Sequence, residues 1–311
     1  MKVIDNTGEI TEEKTAVALG TFDGLHIAHR KIICDMIKNA GGLPTVVCTF
    51  GNLPSSYFCA ESAALFTPGE KAAAMEELGI DYLYMVDFDE NVANRSASDF
   101  MDFLFGDMRA KKVWAGFNYT FGKDAEGGAD MLLCEGKRRG ADVFISPQIA
   151  MGGVTVSSSR IRAALLNGDV LLATKLMGRS YEINGIVTEG KKLGRKLGFP
   201  TINYYIEKGK LCPRHGVYGT ITRVGERWYP SITNIGIRPT VDDGNAVNVE
   251  SNIVGFDGDI YGEHITTRLV FFHREEKKFE TVKALKAQLA KDKDAILADV
   301  LIGEALAETL R

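Results

Sequence analysis

Cysteine is scarce here and has no pairing pattern. Among 311 residues there are five, at positions 34, 48, 59, 134 and 212, an odd number with no Cys-x-x-Cys spacing. That argues against a disulfide framework or a thiolate zinc site and predicts free thiols in a reducing cytoplasm. No apolar run approaches the roughly 20 residues that cross a bilayer. The start, Met-Lys-Val-Ile-Asp-Asn-Thr-Gly-Glu-Ile, has no leader-like apolar segment, so neither secretion nor membrane anchoring is expected. An excess of one charge is also missing: 37 Lys and Arg stand against 41 Asp and Glu, a net charge of −4. A dedicated nucleic-acid binder needs a basic surface, so none is expected, although a local basic pocket is still allowed. Repeats and low-complexity segments are absent. What remains is 45% hydrophobic and 25% charged, an ordinary globular composition at a length that suggests about two domains.

The densest local signal is Gly194-Arg195-Lys196-Leu197-Gly198-Phe199-Pro200-Thr201-Ile202-Asn203. Glycine lets backbone N–H groups come close to an anion, and two cations stand among the glycines. Pro200 stiffens the exit and holds Phe199 extended. Thr201 and Asn203 are two apart at a strand start and share a face. A hydroxyl and an amide carbonyl there are hard oxygen ligands suited to Mg2+ carrying a nucleotide phosphate. Gly194, Lys196 and Gly198 are therefore candidate phosphate contacts, and Thr201 and Asn203 candidate metal ligands. A tight turn with surface cations feeding a strand is the alternative that these residues leave open.

Nearer the start, the apolar run Thr15–Leu19 enters Gly20-Thr21-Phe22-Asp23-Gly24, predicting a buried strand and a glycine loop. Ile32, Ile33, Met36 and Ile37 then recur at helical spacing, so the loop opens a helix whose unpaired first-turn N–H groups favour an anion. Histidine is rare, five in all, and two of them, His26 and His29, neighbour each other on that first turn. Their N–H donors can hold phosphate oxygens and stabilise charge developing on them. A zinc pair would want a further ligand and wider spacing, and plain capping polarity is the other reading. Strands expected at Pro44–Phe50, Tyr82–Phe88, Lys112–Ala115 and Asp142–Ile145 alternate with helices at Gly69–Leu78, Ser98–Phe105 and Gly127–Arg139. That alternation predicts a doubly wound parallel sheet with ligands beyond the carboxyl ends of its strands. Ser157-Ser158-Ser159-Arg160-Ile161-Arg162 reads as a capped helix whose arginines can reach phosphates, or as an ordinary surface helix.

Leu165–Met177 is expected to form two short helices closing the first domain, with a junction at Gly178-Arg179-Ser180-Tyr181. Beyond it, strands at Tyr181–Glu189, Gly216–Arg223, Trp228–Asn234, Ala246–Phe256 and His264–Phe272 predict an antiparallel barrel or sandwich. From Thr281 the chain reads as helical to its end, with Val282, Leu285, Leu289, Ile296, Val300 and Leu301 as expected buried positions.

The motif Gly20-x-Phe-Asp-Gly-x-His-x-x-His29 with the downstream Ser-Ser-x-Arg-Ile-Arg162 resembles the nucleotidyltransferase module of prokaryotic flavin-adenine dinucleotide synthetases. The Gly194–Asn203 stretch resembles the riboflavin kinase module that follows it in those bifunctional enzymes, and the combined match covers nearly the whole chain. The resemblance implies an α/β nucleotidyltransferase domain, Rossmann-like and doubly wound, over residues 1–178. It implies an antiparallel β-barrel riboflavin kinase domain with C-terminal helices over residues 179–311. Riboflavin would be phosphorylated by ATP to FMN, and FMN adenylylated by a second ATP to FAD with release of pyrophosphate, both with Mg2+. By resemblance Gly20, Phe22, Asp23, Gly24, Asn118, Ser158, Arg160 and Arg162 bind ATP in the first domain, where His26 and His29 carry the chemistry. Val249-Glu250-Ser251 matches the family's catalytic glutamate, so Glu250 is implied as the base that takes the proton of the riboflavin 5′-hydroxyl. Asn234 and Arg238, within Asn234-Ile235-Gly236-Ile237-Arg238-Pro239-Thr240, and Arg274 are implied at the flavin site. The chain departs from the family pattern at Ala28 for glycine, Leu53 for a phosphate-contacting histidine and Asn118 for aspartate. Adenylyl transfer is therefore expected to survive but to run more slowly than phosphorylation. The alternatives are a riboflavin kinase with a weak or inactive first domain, and a non-catalytic flavin- or nucleotide-binding regulator.

Overall fold

A computed structural model describes residues 1–5, 8–58, 62–189, 198–237 and 247–309. The chain divides into two compact units, Met1–Ser158 and Ser159–Arg311.

The first unit is a six-stranded parallel sheet of β1 (Lys2–Ile4), β2 (Thr15–Leu19), β3 (Thr45–Phe50), β4 (Tyr82–Val86), β5 (Ala110–Gly116) and β6 (Asp142–Ser146), in the order β1-β4-β3-β2-β5-β6. Every residue of central β2 is buried, as an apolar strand covered on both faces must be. Crossovers run through α1 (Ile27–Asn39), α2 (Pro68–Glu77), α3 (Ala97–Asp102) and α4 (Ala129–Arg138), and a small hairpin, β7 (Ala150–Met151) and β8 (Val154–Thr155), follows β6. β2 connects onward to β3 on one side while β5 lies on its other side, so the strand order reverses between β2 and β5. A ligand crevice forms at such a switch point, at the carboxyl ends of the strands. The loops after β2 and β5, carrying Gly20–Gly24 and Asn118, both fall there.

The second unit takes in α5 (Ser158–Asn167) from its second residue, and then α6 (Val170–Met177). Arg214 ties the end of α5 to the strands beyond it: its backbone N–H reaches Leu165 O at 3.0 Å and its guanidinium Nη1 reaches Asn167 O at 3.2 Å. Gly178, at the expected junction, is the left-handed C-cap of α6 and lies within this unit. Six antiparallel strands follow: β9 (Glu182–Ile186), β10 (Ile202–Tyr205), β11 (Gly216–Val224), β12 (Arg227–Ile237), β13 (Val247–Ile253) and β14 (His264–Arg274), ordered β10-β13-β12-β11-β14-β9. An antiparallel bridge between Thr188 and Asn203 joins the two ends, with Thr188 N–H to Asn203 O at 2.7 Å, so the sheet closes on itself. Closure removes the exposed edges that an open sheet would carry.

The barrel interior is polar at its centre. Thr220 Oγ1 lies 2.7 Å from both Ser231 Oγ and Thr233 Oγ1, and Thr233 lies 2.8 Å from Ser251. Thr222 bridges Ser231 at 2.7 Å and Thr267 at 3.0 Å, and Tyr204 OH donates to Thr267 at 2.7 Å. Buried hydroxyls are tolerated because each is hydrogen-bonded to another. The alternate residues of β11 and β12, Val217, Ile221 and Ile232, point outward and pack with Val270 against Ile296 of α7 (Val282–Ala298) and Ile302 of α8 (Val300–Glu308). Two expected core positions are corrected here: Val282 and Val300 are 60% and 69% exposed. Each stands at the first residue of its helix, where the apolar period continues but no barrel surface lies beneath it.

One buried ion pair locks α7 to the barrel. Asp292, 1% exposed, accepts a forked contact from Arg274, with Nε 3.0 Å from Oδ1 and Nη2 2.6 Å from Oδ2, and a further bond from Gln288 at 2.7 Å. Burial alone would raise the Asp292 carboxyl. Hydrogen bonds from Arg274 and Gln288 and the charges of Arg274 and His273 outweigh it and bring the group below its ordinary value. The resulting stabilisation is present above the ordinary carboxylate value and fades as pH falls through the lowered one. Asp292→Ala leaves the arginine charge without its partner and is expected to cost about 3–5 kcal/mol, read as a lower denaturation midpoint at neutral pH.

Candidate active sites

In the first unit, Phe22 and Leu25 take left-handed conformations, φ 48 and 38, on either side of Gly24 at φ 73. Two glycines are required by space as well as conformation. A Cβ on Gly20 would lie 2.8 Å from the Phe22 ring, and one on Gly24 would lie 2.6 Å from Leu65 Cδ1. The loop is fastened from behind. The Asp23 carboxylate, 2% exposed, accepts the backbone N–H groups of Leu65 at 2.9 Å and Phe66 at 3.1 Å. Ser158 Oγ, at the end of this unit, donates to Asp23 O at 2.8 Å. Arg160 and Arg162 lie on α5 in the second unit.

His26 is the N-cap of α1: its Nδ1 accepts the backbone N–H of His29 at 3.3 Å. A neutral His26 therefore carries its proton on Nε2, leaving that N–H as a donor. The two imidazoles stack, with centroids 3.5 Å apart and planes inclined by 17°, and Phe22 stands edge-on to His29 at 5.2 Å. Burial pushes His26 down to about 4. Burial also holds His29 well below the ordinary imidazole value, with the charges of His26 and Lys71 acting in the same direction. His29 Nδ1 is buried without a hydrogen-bond partner. The pair is thus a neutral donor set at the mouth of a helix N-terminus, able to face an anion without titrating near pH 7. Asn118 sits in the turn after β5, and its Oδ1 would lie 3.4 Å from a Cβ on Gly116. Leu53 is buried and its carbonyl accepts Ser56 Oγ at 2.7 Å, so that position packs and turns the chain.

In the second unit, strand register assembles the site. Asn203 pairs with Glu250, Glu250 with Asn234, Asn234 with Val217, and Val217 with Arg274. Directly paired residues share a face, roughly 5 Å apart at Cβ. Four of the expected site residues therefore stand on one line across the outer face of the barrel, opposite the hydroxyl interior that holds Ser251. Thr201 Oγ1 donates to Glu250 Oε1 at 2.7 Å, and Asn252 Nδ2 holds Pro200 O at 2.6 Å, which fixes the strand entry beside the carboxylate. Arg274 spends its guanidinium on Asp292 and on Glu275 O at 2.7 Å. Gly194, Lys196 and Arg238 lie outside the described residues, and Gly198 is a left-handed turn residue with φ 81.

Two residues join this line without a signal in the sequence. Glu276 Oε1 accepts Asn234 Nδ2 at 3.0 Å and lies over Gly236, where it would be 2.3 Å from a Cβ. Asn248, buried like Asn203, donates from Nδ2 to Asn203 Oδ1 at 3.4 Å, and its own Oδ1 is buried with no hydrogen-bond partner. Among the described residues no group of three His, Cys, Asp or Glu side chains could hold a metal ion. The oxygens of Thr201, Asn203 and Asn248 do fit a hard cation, provided phosphate oxygens complete its shell. The unpartnered Asn248 oxygen is what such a cation, or a water on it, would satisfy.

The two units are a parallel sheet with a glycine loop and two histidines at a helix start, and a closed barrel with a carboxylate beside hydroxyl and amide oxygens. Residues 9–160 match the family described as FAD synthetase, and residues 177–299 match riboflavin kinase. A bifunctional riboflavin kinase/FMN adenylyltransferase of Listeria monocytogenes is 35% identical over 291 residues, 92% of this chain and 92% of that protein. The protein of the same description from Escherichia coli K12 is 33% identical over 295 residues, covering 93% and 94%. A crystal structure from Streptococcus pneumoniae described as a macrolide-efflux protein superposes with a TM-score of 0.87 at 30% identity, over 96% of this chain and 100% of that one. No helix among the described residues is long and apolar enough to cross a membrane. The chain belongs to the bifunctional riboflavin kinase/FMN adenylyltransferase family.

Proposed function

We infer that this protein makes flavin cofactors in two steps, phosphorylating riboflavin to FMN and adenylylating FMN to FAD, each with ATP, in the cytoplasm. The catalytic modules are divided at Gly178. The observation that carries the kinase reading is the line Asn203–Glu250–Asn234 with Thr201 hydrogen-bonded to Glu250. In that step the riboflavin 5′-oxygen bonds to the γ-phosphorus of ATP, the bond to the β-phosphate oxygen breaks, and Glu250 takes the hydroxyl proton. Thr201 and Asn203, with Gly198 and the Gly194–Lys196 segment, hold the nucleotide phosphates, and Asn234, Arg238 and Arg274 border the flavin. Thr201 and Asn203 would hold a Mg2+ ion, which would supply charge neutralisation for the transferring phosphoryl group.

Adenylyl transfer needs no protein nucleophile. A phosphate oxygen of FMN bonds to the α-phosphorus of ATP and pyrophosphate leaves. Neutral His26 and His29 donate to the phosphate oxygens as charge shifts toward the leaving group, aided by the α1 N-terminus, Gly20, Phe22, Gly24, Asn118, Ser158, Arg160 and Arg162. Asp23 serves this site through the loop that it fastens. With Leu53 and Asn118 supplying no cation or carboxylate, the second step is slower than the first.

A chromatographic time course of riboflavin with excess Mg2+–ATP tests the scheme. FMN is expected to rise first and FAD to follow. FAD without any build-up of FMN removes the slow second step, FMN without FAD leaves a kinase alone, and unchanged riboflavin overturns the reading.

A further inference from the structure

The first unit buries a lysine that the scheme above does not use. Lys71 is 2% exposed on α2, whose start is fixed by a capping box: Thr67 Oγ1 accepts Glu70 N–H, Glu70 Oε2 accepts Thr67 N–H, and Pro68 opens the helix. Its ammonium donates to Thr21 O at 3.0 Å and to Phe50 O at 2.5 Å. Thr21 O also accepts Thr49 Oγ1 at 2.8 Å. One side chain therefore ties the Gly20–Gly24 loop to the last residue of β3. That loop is the one with left-handed Phe22 and Leu25, conformations that non-glycine residues keep only when their surroundings impose them.

A neutral donor or an apolar side chain would fill this space at a smaller desolvation cost than an ammonium. The charge has an observable setting. Asp23, from the loop, is the carboxylate that acts on Lys71, and the Lys71 charge in turn acts on His29, in the first turn of α1. We propose that Lys71 is a positioning residue for adenylyl transfer: its ammonium, held by Thr21 O and Phe50 O, fixes the left-handed loop that leads into the stacked histidine pair. The inference rests on the adenylyl-transfer reading of this unit. Burial lowers Lys71 to about 8, with Asp23 opposing, so the side chain is largely cationic at neutral pH. Its field then acts on His29 in the same direction as burial does. A neutral imidazole gives a donor whose protonation does not change as negative charge moves across the phosphates.

The test uses the full chain, with Lys71→Met removing charge and donors and Lys71→Arg keeping the charge. Conversion of FMN to FAD is measured against pH, and histidine titration is followed by NMR on protein with isotope-labelled histidine. Riboflavin phosphorylation by the same preparation reports that the rest of the chain is folded. Lys71→Met is expected to slow FAD formation roughly 10- to 100-fold. It is also expected to move the His29 titration, and the acid limb of the rate profile, to higher pH. Lys71→Arg should leave that titration in place. Wild-type FAD formation in Lys71→Met overturns the proposal. So does a slow Lys71→Met with unmoved histidines, which would make the lysine only a plug, and so does a Lys71→Arg that moves them. Should Lys71→Met not fold, Lys71→Gln, which keeps a donor and loses the charge, carries the same two readings. A wild-type protein that makes no FAD would sink the adenylyl reading while the histidine titration still tests the influence of the ammonium.

Discussion

Glu250→Gln is expected to slow riboflavin phosphorylation roughly 10²- to 10⁴-fold while the protein folds and binds Mg2+–ATP as before. The substitution is close to isosteric, and the amide oxygen can still accept the Thr201 hydroxyl that now reaches Glu250 Oε1 at 2.7 Å. The strand register that aligns position 250 with Asn203 and Asn234 depends on the backbone and is untouched. What disappears is a group that can take a proton from the attacking hydroxyl. Initial rates with saturating riboflavin, set beside thermal denaturation and nucleotide binding, separate the proton role from a packing role. A folded variant that phosphorylates at a near wild-type rate would return Glu250 to the status of a half-buried strand residue.

His29→Ala should lower the conversion of FMN to FAD roughly 10²- to 10³-fold, the size seen when one preorganised donor to a developing oxyanion is removed. The helix start survives the change, because His26 caps α1 through the backbone N–H of residue 29, which alanine retains. The stacked partner of His26 and the edge contact to Phe22 are lost. Starting the assay from FMN isolates this step, and riboflavin phosphorylation in the same preparation serves as the internal control. Equal loss of both activities would indicate global damage, and retention of FAD formation would take His29 out of the chemistry.

The sequence is legible wherever period and punctuation agree. The apolar runs of β2, β3, β4 and β5 lie within two residues of their expected starts, and the glycine loop after β2 stands at the switch point that the alternation implied. The common face of Thr201 and Asn203 followed from the strand period alone. The line that they join did not, since residues far apart in the chain meet only through antiparallel pairing, and no local pattern records a partner strand. β1 was missed because three residues with one buried side chain carry no period. Val282 and Val300 were misplaced because an apolar helix face extends past the surface that it covers. Lys71 reads as an ordinary cation on a helix beside Glu70. Only the converging carbonyls of Thr21, in the loop after β2, and Phe50, at the end of β3, give it a buried partner set.

The hydroxyl interior of the barrel makes strand registration and competence one event. Ser251 faces inward onto Thr233, and its neighbour Glu250 faces outward onto Thr201. A molecule in which β13 set one residue out of step would turn a carboxylate into the hydroxyl cluster and a serine out to the substrate. It would lose interior satisfaction and its base together, so partially correct assembly yields dead protein and not a sluggish variant. Heterogeneity from imperfect folding should therefore appear in active-site titration as a reduced competent fraction, with the surviving molecules turning over at full rate.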